Sequence, residues 1–318
     1  MNLFISILKK VNSFLPERLR QALLPYYRKL FPGVRNVIFL PFLGCNYNCP
    51  YCIWNRFTPD NLKSSYRSWQ DWVKVFENFP PSVFTITGGE PLLYKDITEL
   101  IDNFPSKHVI SSMVTNLSVN LNRLYAVRNK NFRIMASFHP SMATKEELLS
   151  RLKEIHAHGF KNITVNFVAH PKQIALIPEL KRYFEKEGLA AFKVDTYKEP
   201  GYEYSQKELS LIEEYKKKGF IAPNRTRGYN FNDFSPKKCK AGSGFFIMIS
   251  NGNVYSCMEG YYYSECLPYQ GRADSRDIFR MGNLFDGSFK LRQGDTICHS
   301  PCAEICDLEL AGAKHLKK

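Results

Sequence analysis

At 318 residues the chain is long enough to bury a large core, and its 44% apolar and 14% aromatic content excludes a disordered polypeptide. It holds no run of about 18 uncharged apolar residues, which argues against a helical membrane span. A net charge of +14 favours anionic partners, phosphorylated small molecules or an anionic membrane surface among them. No arginine-rich or aromatic-interleaved motif points to nucleic acid, so none is expected as a partner.

Residues 1–35 read as a basic amphipathic helical lead-in, with Lys9, Lys10, Arg18, Arg20, Arg28 and Lys29 set among Leu3, Phe4, Ile7, Leu8 and Phe14. Two placements fit such a segment: lying on a membrane surface, or packing its apolar face across one end of the fold. The segment is apolar before it is basic, the reverse of a secretory signal. The nine cysteines are therefore expected to be reduced ligands in a cytoplasmic protein, peripheral to the membrane if the lead-in docks there.

From residue 36 to 198 short apolar runs alternate with helical periodicity. Strands are expected at Asn36–Leu43, Val83–Thr87, His108–Val114, Phe132–Phe138, Asn162–Val168 and Ala190–Tyr197. Helices are expected at Arg67–Phe79, Asp96–Phe104, Leu121–Arg128, Lys145–His158 and Ile177–Glu187; Thr144 is placed to cap the fourth, and Gly159 and Gly188 to end the last two. This alternation implies an α/β fold with a parallel sheet and right-handed crossovers. Residues 199–235, with a helix at Gln206–Gly219, then bridge to a small C-terminal α+β lobe over residues 236–318.

The stretch Gly44-Cys45-Asn46-Tyr47-Asn48-Cys49-Pro50-Tyr51-Cys52 follows the first strand. Its C-x3-C-x2-C spacing lets a curled loop turn three thiolates inward, enough for three irons of a cubane with the fourth iron left open. A closed tetrahedral zinc site would want a fourth local ligand. The second strand breaks into Gly88-Gly89-Glu90-Pro91, where glycine lets the backbone approach a ligand. Together these motifs resemble the radical S-adenosylmethionine (SAM) superfamily. The resemblance implies a partial (β/α)6 TIM-like barrel whose chemistry sits at the C-terminal ends of the strands, the open iron chelating SAM. It implies cofactor contacts at Tyr51, Gly88, Gly89, Glu90, Thr115, Asn116, Ser137, Asn166 and Val168, and an electron donor such as flavodoxin or ferredoxin.

A second cysteine group begins at Cys239. Phe245–Ile249 and Val254–Cys257 flank Asn251-Gly252, the preferred dipeptide of a tight hairpin turn, which brings Cys239 and Cys257 toward one end. Cysteine, later glycine, four residues, then cysteine is similar to the opening of SPASM and twitch domains, which carry auxiliary [4Fe–4S] clusters; a zinc ribbon is the alternative. Ser300-Pro301 marks a helix start that sets Cys302 and Cys306 on one face. A full SPASM domain has seven cysteines and this lobe has six, so the resemblance implies one auxiliary cluster, on Cys239, Cys257, Cys302 and Cys306. Cys298 can replace either of the last two. Cys266 is then spare, and is the candidate hydrogen-atom donor to a substrate radical, against the plainer reading of a structural thiol.

His139 and His170 each precede proline at a strand end, placed either to meet substrate or to cap the backbone. Lys193, Asp195 and Tyr197 share one face of the sixth strand, and either contact a polar substrate or pair with each other on a solvated face. The expected function is SAM cleavage to a 5′-deoxyadenosyl radical that takes hydrogen from a small polar substrate of the sugar, aminoglycoside or nucleotide-sugar type, for dehydrogenation or epimerisation. Peptide maturation and lipid modification are the enzymatic alternatives, and an iron–sulfur or zinc scaffold is the non-enzymatic one.

Overall fold

The computed structural model describes residues 34–197, 202–222, 237–265, 279–298 and 314–315. Six strands, β1 (Arg35–Phe42), β2 (Ser82–Gly88), β3 (Val109–Thr115), β4 (Arg133–Phe138), β5 (Ile163–Val168) and β6 (Ala191–Asp195), pair in parallel and in sequence order. Among the described residues the α-helices are α1 (Ile53–Phe57), α2 (Asp60–Lys63), α3 (Trp69–Asn78), α4 (Ile97–Asp102), α5 (Asn122–Ala126), α6 (Lys145–Ala157), α7 (Ile177–Glu185), α8 (Gln206–Lys217) and α9 (Met258–Glu265). None is long and apolar enough to cross a membrane.

The strand period of two divides the sheet's faces. Phe84, Ile86, Ile134, Ala136, Val165, Phe167, Phe192 and Val194 are buried, while their alternating neighbours Thr85, Thr87, Met135, Ser137, Asn166, Val168, Lys193 and Asp195 line a cavity. The buried set packs with the helices. Phe39 meets Trp72 at 4.7 Å and Phe76 at 5.2 Å, both edge to face, in pairs worth about 0.5–1.5 kcal/mol each beyond the area they bury. Helix starts are fixed locally. Ser68 with Asp71, Thr144 with Glu147, and Ser205 with Glu208 each form a reciprocal capping box ahead of α3, α6 and α8.

Part of the C-terminal segment joins the main sheet. After β7 (Lys237–Cys239), the strand β8 (Phe245–Ile249) pairs in parallel with β1, Val37 opposite Phe246, and β9 (Asn253–Tyr255) and β10 (Arg280–Asn283) extend the sheet antiparallel. The result is a nine-stranded sheet in the order β10-β9-β8-β1-β2-β3-β4-β5-β6. The reason is the run FFIMI, buried at every position. A strand apolar on both faces cannot end a small solvated lobe and instead completes the free edge beside β1. The hairpin turn is as expected, with Gly252 at a φ of 92°. Cys239 stands on β7 in a separate three-stranded sheet with β11 (Thr296–Cys298) and β12 (Lys314–His315). The lead-in through residue 33, Cys266, Cys302, Cys306 and the helix expected after Ser300 lie outside the described residues.

Candidate active site

One cavity of about 410 Å³ opens at the C-terminal ends of β1 to β6. Cys45, Cys49 and Cys52 line it together, in a loop leaving β1. The same cavity is lined by Lys193, Asp195 and Tyr197 from the β6 side and by Met258 and Tyr262 from α9. Burial pushes all three thiols upward, and repulsion from neighbouring thiolates adds to it at Cys45 and at Cys49, which rises to about 12. Three such groups become stable thiolates only when a cation compensates them, and metal binding releases the protons. That donor set fits an iron–sulfur cluster, which takes one thiolate per iron. Among the described residues no three histidine, cysteine, aspartate or glutamate side chains close on a single metal ion.

The loop is held from two sides. On the Cys45 side, Asn116 at the end of β3 donates through Nδ2 to Asn46 Oδ1 at 3.1 Å and to Cys45 Sγ at 3.8 Å. Asn46 in turn donates to Ser118 Oγ at 2.7 Å. On the Cys52 side, buried Tyr51 sets its hydroxyl 2.9 Å from His139 Nδ1. Burial lowers His139 to about 4, so it is neutral near pH 7. Tyr51 also packs on His170, 5.2 Å between ring centroids.

Gly88 and Gly89 line the cavity, but their smallness answers a second demand. A Cβ on Gly88 would meet Phe42 O at 2.1 Å, and one on Gly89 would meet Gly44 O at 2.1 Å. The backbone of Gly89 donates to Phe42 O at 3.2 Å and that of Glu90 to Gly44 O at 2.8 Å. The glycines thus let the second strand's exit lie directly on the stem of the cysteine loop, in addition to any ligand they face.

The Glu90 side chain is not among the cavity residues. It is fully buried, and its carboxylate accepts from Leu92 N at 2.9 Å, Thr115 Oγ1 at 2.7 Å and Asn116 N at 2.7 Å. Burial pushes its pKa up while these donors pull it down. Glu90 therefore ties the exits of β2 and β3 together through its side chain, which leaves the backbone of Gly88 to Glu90 as the part of this element expected to meet a cofactor. Thr115 lines the cavity with its hydroxyl committed to this tie. Asn116, Ser137, Asn166, Val168 and Tyr51 line the cavity as well, and the Asn166 Oδ1 has no partner there.

His139 lines the cavity, whereas His170 does not and instead caps the short helix Pro171–Leu176, accepting from Lys172 N at 3.3 Å. On β6, Lys193 and Asp195 pair at 3.0 Å, and both line the cavity. Trp54, Met258 and Tyr262 form a further wall that sequence reasoning missed. Trp54 lies 5.1 Å from Tyr261 and 5.5 Å from Tyr262, and Thr58 Oγ1 is 2.9 Å from Tyr261 Oη. The available signal was Trp54, an aromatic residue two places beyond the last cysteine of the loop.

Cys239 and Cys257 are buried in one apolar cluster with Leu62, Met258 and Tyr261. Their sulfurs accept from backbone donors, Ala241 N at 3.3 Å and Gly260 N at 3.2 Å. Cys298 stands at a register position opposite Lys237, two places beyond Thr296, which pairs with Cys239.

Residues 39–154 match the family model of the radical SAM superfamily. The 7-carboxy-7-deazaguanine synthase of Methanothermobacter thermautotrophicus is 36% identical over 85 residues, covering 24% of this chain and 33% of that protein. The GTP 3',8-cyclase of Pasteurella multocida is 32% identical over 72 residues, 22% of this chain and 21% of that one. These matches span a third or less of either relative's length. Among solved structures, Streptococcus suis SuiB bound to the precursor peptide SuiA has a TM-score of 0.56 at 16% identity, covering 85% of this chain and 70% of that one. At that identity the likeness is one of fold.

Proposed function

Taking as premise that residues 39–154 are a radical SAM domain, we propose that the chain is a radical SAM enzyme acting on a small polar substrate held in the cavity beside the cysteine loop. The carrying observation is that Cys45, Cys49 and Cys52, Gly88 and Gly89, and the inward residues of β3 to β6 line one cavity. When bound there, a [4Fe–4S] cluster with an open iron supplies reductive cleavage of SAM and, from it, a 5′-deoxyadenosyl radical. The chain's own residues supply the rest. Tyr51 with His139, and Asn116 with Asn46, fix the loop. The strand faces orient SAM and substrate, and α9 narrows access by water.

The paired Lys193 and Asp195 support a substrate rich in hydroxyl or amide groups. A neutralised pair offers a donor and an acceptor together, whereas an unpaired lysine would select an anion. The facing wall of Trp54, Met258 and Tyr262 suits the flat or apolar face of a ring. Dehydrogenation or epimerisation of such a molecule is the reading we favour. Cys239 and Cys257, away from the cavity in an apolar cluster, are assigned to one auxiliary cluster with Cys302 and Cys306, placed to relay an electron.

Anaerobic reconstitution tests the reading. It predicts about eight irons per chain, from two four-iron clusters, and SAM-dependent 5′-deoxyadenosine. Stoichiometric zinc without SAM cleavage contradicts it. A substrate screen separates the small-molecule reading from peptide maturation: hydrogen from a deuterated hydroxylated metabolite should appear in 5′-deoxyadenosine, and transfer from a peptide alone would overturn the small-molecule assignment.

A further inference from the structure

The turn after β3 carries more structure than a ligand contact needs. Leu117 is fully buried at a φ of 55°, the one non-glycine in the left-handed region among the described residues, and a leucine occupies that region only where its surroundings force it. The forcing groups are visible. Leu117 N donates to Thr115 Oγ1 at 3.1 Å, and Asn116 N donates to buried Glu90 at 2.7 Å.

The product of this turn is the orientation of one amide. Asn116 Oδ1 accepts from Ser118 N at 2.9 Å and from Ser118 Oγ at 2.7 Å, so the opposite end, Nδ2, must face the cysteine loop. There it meets Asn46 Oδ1 at 3.1 Å and Cys45 Sγ at 3.8 Å. Tyr47 N also donates to that sulfur, at 3.4 Å. The Asn116 side chain is 8% exposed and its hydrogen-bonding capacity is largely committed within the protein.

We propose that Asn116 is a redox-positioning residue, whose amide N–H donates to the Cys45 thiolate and sets the reduction potential of the cluster held there, in place of the SAM contact expected of it. The inference rests on the reading that Cys45 is a cluster ligand. Reduction adds negative charge that spreads onto the sulfurs, so a donor aimed at one sulfur stabilises the reduced form more than the oxidised form. Its removal makes the cluster harder to reduce. Glu90, Thr115 and the strained Leu117 act through Asn116 by fixing its angle.

The experiment uses the full chain reconstituted anaerobically with iron and sulfide. The readout is a potentiometric titration, followed by electron paramagnetic resonance, of the signal that disappears in Cys45→Ala. Asn116→Asp keeps the Ser118 contacts and replaces the donor by an acceptor-only carboxylate; Asn116→Ala removes donor and acceptor alike. Both should retain iron and shift the midpoint to more negative potential, Asn116→Asp further than Asn116→Ala. The reduced-to-oxidised ratio at a fixed poise should fall several-fold, a tenfold fall corresponding to about 59 mV for a one-electron couple. Ser118→Ala, which does not touch the sulfur, should shift it less than either. An unchanged midpoint in both Asn116 variants, or loss of iron from both, overturns the inference and leaves the cluster in place. A wild-type chain without any Cys45-dependent signal overturns the underlying reading instead.

Discussion

The two cysteine regions differ in what they face. Cys45, Cys49 and Cys52 face a cavity and are held by side chains from two other strand ends, Asn116 after β3 and His139 after β4. Cys239 and Cys257 are buried among leucine, methionine and tyrosine, with backbone amides as the donors to their sulfurs. A region open to ligands suits chemistry, where an iron held there must accept a partner. A dry region suits electron relay, where solvent only adds reorganisation. The two meet where Trp54 packs against Tyr261 and Tyr262 and Thr58 hydrogen-bonds to Tyr261, contacts that join the end of the cysteine loop to the helix that begins one residue after Cys257.

The sharpest way to break this contrast is to remove ligands from each side. Replacing Cys45, Cys49 and Cys52 together by alanine should abolish 5′-deoxyadenosine formation and remove about half the bound iron, two four-iron clusters being assigned. Replacing Cys239 and Cys257 should remove the other half while substrate-free SAM cleavage persists. Iron analysis and product chromatography read both. Loss of SAM cleavage from the second pair would erase the distinction.

Next in size is the polar tie behind the open region. Glu90→Ala leaves the buried donors of Leu92, Thr115 and Asn116 without their acceptor, and should cost about 3 kcal/mol in denaturant unfolding. A change below about 0.5 kcal/mol, the range of a neutral surface substitution, would show that the tie is dispensable.

A third test is pH dependence. His108 is buried, accepts from Ser82 N at 3.2 Å and donates to Phe76 O at 2.8 Å, a pair of bonds that requires the neutral ring. Burial lowers it, like His139, from 6.5 to about 4. In the window between these values the unfolded chain binds protons that the folded chain refuses, so stability falls as pH drops from 6.5 toward 4. The slope is about 1.4 kcal/mol per pH unit for each histidine. Urea unfolding at pH 7 and pH 5 measures it, and His108→Gln should flatten the slope by about half.

The smallest expected effect lies at the join between the regions. Thr58→Val removes the Thr58 hydrogen bond to the Tyr261 hydroxyl and should cost about 1 kcal/mol, read as a shift of the urea midpoint at unchanged slope. A neutral result would show that this hydrogen bond adds nothing to the packing that connects the two sides.

Much of the barrel was legible in the sequence because strand and helix periods speak for themselves there. The expected runs at 83–87, 132–138 and 162–168 lie within one residue of β2, β4 and β5 at each end. Thr144 caps α6 as its spacing implies. The concave face was legible for the same reason, since Asn166 and Val168, or Lys193 and Asp195, are two apart and must share a side. What sequence could not show was partnership across long separations. Phe245–Ile249 reads as a hairpin strand, and nothing local tells that its parallel neighbour is β1, some two hundred positions earlier. The commitment of the Glu90 carboxylate to the β3 exit, and of Asn116 to a cysteine sulfur, likewise belongs to contacts that only the closed sheet creates.

The proposed function requires the loop from Cys45 to Cys52 to hold a cluster whose open iron takes SAM. It is tested most directly in the Cys239→Ala, Cys257→Ala double variant, where the first cluster alone gives a paramagnetic signal after reduction. Adding SAM should change that signal's g-values, as a new ligand on one iron must. An identical spectrum with and without saturating SAM would contradict the account.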